Sequence, residues 1–232
     1  MIKKADHSKM GRSELGWLNS WFHFSFAEYY NPDNIRYGAL RVINDDIIQP
    51  HTGFDTHPHK NMEIITYVVD GELTHGDSMD NKRTLTRGDI QYMSAGTGIS
   101  HSELNESEER LRLLQIWILP DAADYIPQYG DYHFPWSNRL NQWAQIVSSE
   151  TGSAPIRIHQ DMNIYVTQLI EHKSLEYEIQ PGRQAYLVLI DGRVQLNDVT
   201  LEKRDGAEIS AGKLTIQAQP EAHLIFFEMK KR

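Results

Sequence analysis

The sequence predicts an all-β fold made of two tandem β-barrels, and three observations support this prediction. Short β-rich runs follow one another along the chain, with few helix-compatible stretches between them. Gly, Pro, Asn and Asp turn signals separate these runs at intervals that suit a barrel or sandwich rather than β-α-β units. The same order of runs and turns also occurs in both halves of the chain, which indicates a duplicated barrel.

The β-rich runs predict strands in both halves of the chain. These strands are expected at residues 37–43, 63–69, 91–94, 111–119, 164–170, 186–190 and 224–227. The best helix candidate is 137–146, which follows the Phe134-Pro135-Trp136 break and has Ser137 as a possible N-cap. The sequence therefore predicts few and short helices.

The internal repeat is clearest in two segments, 65–74 and 187–196, each of which turns at an Asp-Gly pair. Asp-Gly between apolar runs is a signal for a β-hairpin with a type I′ turn. A second turn follows in each half, at 87–90 and 205–208. We therefore expect an N-terminal barrel over 1–133 and a C-terminal barrel over 134–232, connected through the loop-rich region around 120–155.

The composition excludes several classes of protein. Hydrophobic residues make up 40% and charged residues 24% of the 232 residues, and no apolar run approaches the ~18 residues that a membrane span needs. The N-terminus lacks the apolar region of a secretory signal, so we predict a cytoplasmic protein that does not bind membranes. The absence of cysteine excludes disulfides, thiolate nucleophiles and Fe–S clusters.

The charge balance bears on the partners. The net charge of −9 arises from 32 acidic against 23 basic residues, with no basic stretch beyond the C-terminal three residues. This argues against a nucleic-acid surface and favours a small molecule, with an unidentified protein partner as a further possibility.

Two period-2 pairs of side chains are candidate metal ligands. His57 and His59 are two residues apart, so on an extended chain both imidazoles project to one face. His101 and Glu103 form a second such pair, placed where a later strand of the same barrel could face the first. The four side chains would then converge from two strands on one ion.

Three imidazoles and one carboxylate suit a first-row divalent metal and leave two positions open in an octahedral shell. Structural zinc sites are more often closed and tetrahedral with thiolates, which this chain lacks. We therefore predict one catalytic-type metal per chain, with Fe(II) favoured and Mn, Co, Ni, Cu and Zn as alternatives.

Longer motifs around these residues resemble known families. Residues 53–71, with His57-x-His59-x-x-x-Glu63, are similar to the first cupin motif, and residues 88–105, with His101, are similar to the second. Residues 23–32 and 40–46 resemble the pirin family in particular. That resemblance implies two jelly-roll-like cupin barrels and metal ligands at His57, His59, His101 and Glu103.

Two further expectations follow from the motifs. Cupins often use a carboxylate at the spacing of Glu63 as a ligand, but pirins use the one that falls on Glu103, so we assign Glu63 to the surroundings of the ligands. The corresponding positions of the second barrel are Glu178, Gln180 and Gln217, and none is a histidine. We therefore expect no metal in the C-terminal barrel.

The remaining histidines and the early aromatic residues are assigned structural roles. His159, His172 and His223 have no paired ligand, and His51 and His75 lack the period-2 spacing, so each is expected to be a satisfied or solvated side chain. The early aromatic cluster is expected to form core or inter-barrel packing, with a pocket for a planar ligand as the alternative. Its members are Trp17, Trp21, Phe22, Phe24, Phe26, Tyr29 and Tyr30.

The resemblance implies a flavonol dioxygenase of the quercetin 2,3-dioxygenase type, which cleaves the central ring with O₂ and releases CO. Glu103, or alternatively Glu63, would accept the proton of the flavonol hydroxyl. Animal pirins are described as transcriptional co-regulators, so a metal- or redox-sensing interaction module without turnover is the alternative. Isomerase or other cupin chemistry also stays open, because one fold hosts many activities.

Overall fold

Residues 1–231 are described by a computed structural model and form an almost entirely β structure. Within these residues the helical elements are two short 3₁₀ turns, His7–Lys9 and Trp136–Arg139. The predicted all-β class is therefore confirmed. No helix in this described range is long and apolar enough to cross a membrane.

The strands follow the apolar runs of the sequence. In the first half they are β1 Ile2–Ala5, β2 Gly11–Glu14, β3 Leu18–Phe22, β4 Leu40–Ile48, β5 Thr52–His59, β6 Glu63–Asp70, β7 Leu73–Asp77, β8 Lys82–Leu85, β9 Ile90–Ser94, β10 Ile99–Asn105, β11 Leu111–Ile118 and β12 Gln128–Tyr132. In the second half they are β13 Ala144–Ser149, β14 Ile156–Ile158, β15 Met162–Leu169, β16 Ser174–Asp191, β17 Arg193–Leu196, β18 Val199–Glu202, β19 Gly206–Ala218 and β20 Ala222–Lys230.

The chain forms two compact units that interleave in sequence. The N-terminal barrel contains Gly11–Phe134 together with Ile158–Gln160, and the C-terminal barrel contains Met1–Met10, Pro135–Arg157 and the chain from Asp161 onwards. Residues 1–10 belong with the C-terminal barrel because β1 pairs antiparallel with β19. The main boundary between the units lies between Phe134 and Pro135, next to the expected one, but residues 1–10 and 158–160 each belong to the other unit.

The N-terminal barrel is built from two antiparallel sheets. The larger has the strand order β12-β9-β6-β11-β4-β3-β2, and the smaller has the order β5-β10-β7-β8. Burial alternates strictly along β10, where Ile99, His101, Glu103 and Asn105 are buried and the residues between them are not. The side chains of the predicted second ligand pair therefore share the inward face.

The C-terminal barrel has the strand order β14-β13-β15-β20-β16-β19-β17-β18, with β1 added to β19. Its inside is filled by buried apolar side chains, among them Ile179, Leu187 and Phe226. Trp143 and Tyr177 pack against this core. The barrel is held by apolar packing rather than by a polar centre.

The two predicted Asp-Gly hairpins are wrong, although a turn occurs at each. β6 pairs with β9 and β11, whereas β7 pairs with β8 and β10, so the turn carries the chain from one sheet to the other. β16 and β17 are likewise not paired with each other. Gly71 and Gly192 adopt φ of 82° and 91°, and a Cβ there would lie 2.5 Å and 2.0 Å from backbone carbonyl oxygens. Glycine is required by this close approach.

The internal duplication itself extends to individual hydrogen bonds. Val68 N donates to Asp89 O over 3.0 Å in the N-terminal barrel. Leu189 N donates to Asp205 O over 2.9 Å in the C-terminal barrel, at the same point of the repeat. The two turns thus close onto their preceding strands in the same way.

The predicted helix at 137–146 is also wrong. Only the 3₁₀ turn at Trp136–Arg139 forms, and its N-cap is Pro135, without a side-chain cap from Ser137. Asn141 adopts φ of 55°, which ends any helical run, and β13 then pairs with β15. Strand pairing in the barrel overrides the local helical preference.

Candidate metal centre

Two neighbouring strands of the smaller sheet bring three histidines together. His57 on β5 lies directly opposite His101 on β10, and His59 follows two residues later on the same strand. Pro58 between them has no N–H to donate, but β5 is the edge strand of its sheet, so β5 runs unbroken through it. The predicted common face of His57 and His59 is therefore present.

The three imidazoles form a compact triangle. The ring centroids of His57 and His101 are 4.5 Å apart, those of His57 and His59 are 4.8 Å apart, and those of His59 and His101 are 4.9 Å apart. One ring nitrogen from each histidine lies within 4.8 Å of the other two. Such an arrangement fits a single ion between them.

The protonation of the cluster also suits a metal. Burial, reinforced by the neighbouring histidines, lowers the pKa of His101 to about 2, and burial together with His57 lowers the pKa of His59 to about 4. Both rings are therefore neutral at pH 7, as a metal ligand must be. Neither ring nitrogen of the buried His101 has a hydrogen-bond partner within the described part of the chain.

His57 is oriented by the backbone. Its Nδ1 lies 2.7 Å from the carbonyl oxygen of Asp55, which can only accept a hydrogen bond. This contact assigns the proton to Nδ1 and leaves Nε2 as the available ligand atom. A hydrogen bond from the ring nitrogen that does not bind the metal is the usual way in which proteins fix the tautomer of a ligating histidine.

The Glu103 carboxylate lies outside the histidine triangle and is held by three donors. Oε1 accepts hydrogen bonds from Thr66 Oγ1 at 2.6 Å and Gln91 Nε2 at 2.9 Å, and Oε2 accepts one from Gln115 Nε2. Burial raises the pKa of Glu103, while the Thr66 hydroxyl acts against this rise. A carboxylate offers about four acceptor positions, so Oε2 keeps one position for a further partner.

Glu63 is engaged elsewhere. Its carboxylate accepts hydrogen bonds from Tyr92 Oη and Ser94 Oγ, each at 2.7 Å, and from the backbone N–H of His159 at 3.1 Å. The His159 ring stacks on Tyr125, with centroids 3.7 Å apart. Glu63 therefore anchors residues 158–160 in the N-terminal barrel.

The other histidines near the cluster have structural partners. His75 is fully buried, its Nε2 lies 3.0 Å from Asp77 Oδ2, and its ring stacks on Tyr129. His51 is an exposed residue whose Nε2 lies 3.2 Å from Glu108. These contacts agree with the structural roles expected for both.

A cavity of about 500 Å³ opens beside the histidines. His57, His59 and Glu103 line it together with apolar and aromatic side chains, a volume and lining typical of small-molecule sites. The aromatic members are Trp17, Phe22, Phe26, Phe54 and Trp117. His59 and Trp117 meet edge to face with centroids 4.9 Å apart, so the aromatic wall begins at the histidine cluster.

The early aromatic cluster therefore serves two purposes. Trp17, Phe22 and Phe26 line the cavity, whereas Phe24 is only 1% exposed and belongs to the core. Spacing in the sequence could not separate these roles, because β3 and the loop after it contribute side chains to both.

The C-terminal barrel presents no comparable group at the repeat positions. Glu178, Gln180 and Gln217 are all exposed. A second group of possible ligand atoms, Asp6, His7 and Asp205, lies in this barrel, but Lys4 Nζ is 2.6 Å from Asp205 Oδ2 and already neutralises that carboxylate.

The fold and the histidine cluster define a two-barrel cupin with a candidate metal centre in its N-terminal barrel. Comparison with known proteins places it more narrowly. Residues 4–118 match the model of the pirin family, and residues 145–229 match the model of the quercetinase C-terminal cupin domain. The chain belongs to the pirin family.

Full-length relatives support this assignment. A pirin-like protein of Caulobacter vibrioides is 41% identical over 98% of this chain and 99% of its own. The quercetin 2,3-dioxygenase of Escherichia coli K12 is 38% identical over 99% of both chains. The crystal structure of the bacterial pirin YhhW from Escherichia coli in complex with nickel(II) superposes with a TM-score of 0.94, at 37% identity over the whole of both chains.

Proposed function

We propose that this protein is a metal-dependent dioxygenase that cleaves a flavonol such as quercetin with O₂. The observation that supports the proposal is one cavity lined by two histidines of the cluster, a buried carboxyl group and an aromatic wall. The names of the relatives agree with this activity, and one relative is known as a nickel(II) complex. The predicted cytoplasmic location is part of the same proposal.

His57, His59 and His101 would hold the metal, and the one open acceptor position of Glu103 Oε2 would supply the fourth ligand atom in the absence of substrate. Fe(II) is the favoured ion, and nickel is the alternative suggested by the relative. A bound divalent ion supplies Lewis acidity toward the flavonol oxygens and the electronic link between the flavonol and O₂. The orphaned nitrogens of buried His101 are the strongest argument that the residues suit such an ion.

Glu103 would also take the proton of the flavonol 3-hydroxyl. A carboxylate whose pKa is raised by burial is a better base at neutral pH than one in water. Thr66 and Gln91 fix Oε1, so with substrate bound the proton would go to the open position of Oε2, in place of the metal. The aromatic wall would stack against the planar rings and keep water away from the reacting carbons.

The proposal is tested by purifying the protein without oxygen and measuring its metal content. Portions reconstituted separately with Fe(II), Mn, Co, Ni and Cu are then assayed for oxygen uptake with quercetin. We expect turnover with at least one of these metals and none in the metal-free protein. If every metal form is inactive, the sensing module becomes the better hypothesis.

A further inference from the structure

Two buried polar side chains stand out in the wall of the aromatic cavity. Asn44 and Asp46 lie two residues apart on β4, so they share one face of the strand, and both line the cavity. They are only 3% and 2% exposed. Nevertheless, Asn44 Oδ1 and Asp46 Oδ1 have no hydrogen-bond partner among residues 1–231.

The sheet register places this pair relative to the metal centre. Asn44 lies opposite Gln115 on β11, and Gln115 is the residue that donates to Glu103 Oε2. Asp46 is one pleat repeat further along β4, opposite Ser20 on β3. The pair therefore begins beside the support of Glu103 and continues away from it along the same cavity.

A buried polar group without a partner lowers the stability of a protein. Apolar residues at these positions would stabilise the core more, as the buried Val42 and Ile48 do on the same face of β4. Two neighbouring exceptions that both line a cavity indicate a ligand that supplies the missing hydrogen bonds.

The chemistry of the pair selects the ligand group. Burial raises the pKa of Asp46 to about 7, although a side-chain hydrogen bond with Ser20 acts to lower it. Both protonation states of Asp46 are therefore accessible near neutral pH. A hydroxyl group both donates and accepts, and so it can pair with either state of the carboxyl group and with the amide oxygen of Asn44. Phe22, opposite Asn44 on β3, supplies an adjacent aromatic surface.

We propose that Asn44 and Asp46 form a second recognition point of the cavity, which binds a ring hydroxyl of a planar polyhydroxylated aromatic ligand whose other end lies at the histidine cluster. The inference rests on the proposed function, which it extends to substrate selection. It implies that the protein distinguishes flavonols by hydroxyl groups remote from the reacting carbons.

The test compares two ligands that share the metal-facing end. Quercetin and 3-hydroxyflavone both carry the 3-hydroxyl and 4-keto oxygens, but 3-hydroxyflavone has no other hydroxyl group. Binding of each to the metal-loaded protein is measured by titration calorimetry without oxygen. We expect Asp46→Leu to weaken quercetin binding on the order of tenfold to a hundredfold, and to leave 3-hydroxyflavone binding unchanged.

Two further variants make the result decisive. Asn44→Ala should show the same ligand-selective loss, and it carries the test if Asp46→Leu does not fold. Asp45→Asn is the matched control. Asp45 is a buried carboxylate that lies between Asn44 and Asp46 on β4, pairs with Arg112 at 2.6 Å and does not line the cavity. The control variant should bind both ligands as the wild type does.

The outcomes separate this inference from the proposed function. Equal loss of both ligands in Asp46→Leu and Asn44→Ala, or no saturable binding of quercetin by the wild type, would overturn the inference. Selective loss of quercetin binding in a protein that never consumes it would uphold the inference and refute the oxygenase proposal. Consumption of quercetin by the wild type, with no selective loss of quercetin binding in the variants, would uphold the oxygenase proposal and refute the inference.

Discussion

Thr66 on β6 donates a hydrogen bond of 2.6 Å to Oε1 of Glu103 on β10, and both side chains are buried. The bond joins the larger sheet of the N-terminal barrel to the smaller one at the wall of the metal centre. Thr66 therefore helps to orient Glu103, although Thr66 is not itself a candidate metal ligand.

Thr66→Val should therefore destabilise the protein and misplace the carboxylate. Valine keeps the shape but removes the donor from a buried acid, which is expected to cost about 1 to 3 kcal/mol in the free energy of unfolding. Turnover per bound metal should also fall. Thr167→Val is the matched control, because Thr167 is equally buried but donates to the Arg139 carbonyl in the other barrel. Loss of turnover in the control variant alone would contradict this role of Thr66.

We expect one metal ion per chain, lost when a ligand histidine is removed. His57→Ala and His101→Ala should empty the centre and remain folded, since apolar packing rather than the ion holds each barrel. Elemental analysis measures the metal content, and the far-ultraviolet circular dichroism spectrum shows whether the variant is folded. His172→Ala, which changes an exposed histidine, serves as the control. Two ions per chain in the wild type would contradict the expectation for the C-terminal barrel.

Protonation of His59 and His101 should act against the stability of the metal-free protein as the pH falls below about 6.5. The pKa of His59 and of His101 is lowered in the folded state, to about 4 and about 2. Between those values and the ordinary 6.5, the unfolded chain binds more protons at these two histidines, so they make stability rise with pH in this window. Asp46 and Glu103, whose pKa values are raised by burial, act in the opposite direction. Urea unfolding at several pH values measures the slope. The slope should be less positive in His101→Leu than in the wild type, because one histidine contribution is removed. An equal slope in this variant would show that His101 is not buried in its neutral form.

Glu63→Gln distinguishes the two candidate bases. Glu63 accepts hydrogen bonds from Tyr92, Ser94 and the His159 backbone, so its loss should lower the free energy of unfolding by about 1 to 3 kcal/mol. Turnover per bound metal should stay at the wild-type level. A stable variant without activity would instead make Glu63 the base.

The clustering of His57, His59 and His101 could be predicted from sequence because extended strands repeat every two residues. His57 with His59 and His101 with Glu103 each carry that spacing, and the cupin motifs fix which strands face each other. The helix at 137–146 and the two hairpins failed for one reason: strand partners in a barrel are chosen by tertiary contacts, which local patterns do not encode.

The supports of Glu103 could not be predicted. Thr66, Gln91 and Gln115 lie on three different strands and have no common spacing, so only the folded sheets bring them to one carboxylate. Asn44 and Asp46 left a weak signal, because two polar residues interrupt the apolar face of β4. That signal does not reveal a cavity until the opposite wall is known.

The proposed role of Glu103 as the base of a flavonol dioxygenase can be tested by comparing one variant with the wild type. Quercetin consumption per bound metal is compared under O₂ for the wild type and Glu103→Gln, each reconstituted with the same ion and assayed for its metal content. We predict that the variant retains part of its metal but loses turnover per metal on the order of 10² to 10⁴. Full activity per bound metal in Glu103→Gln would show that Glu103 is not the base.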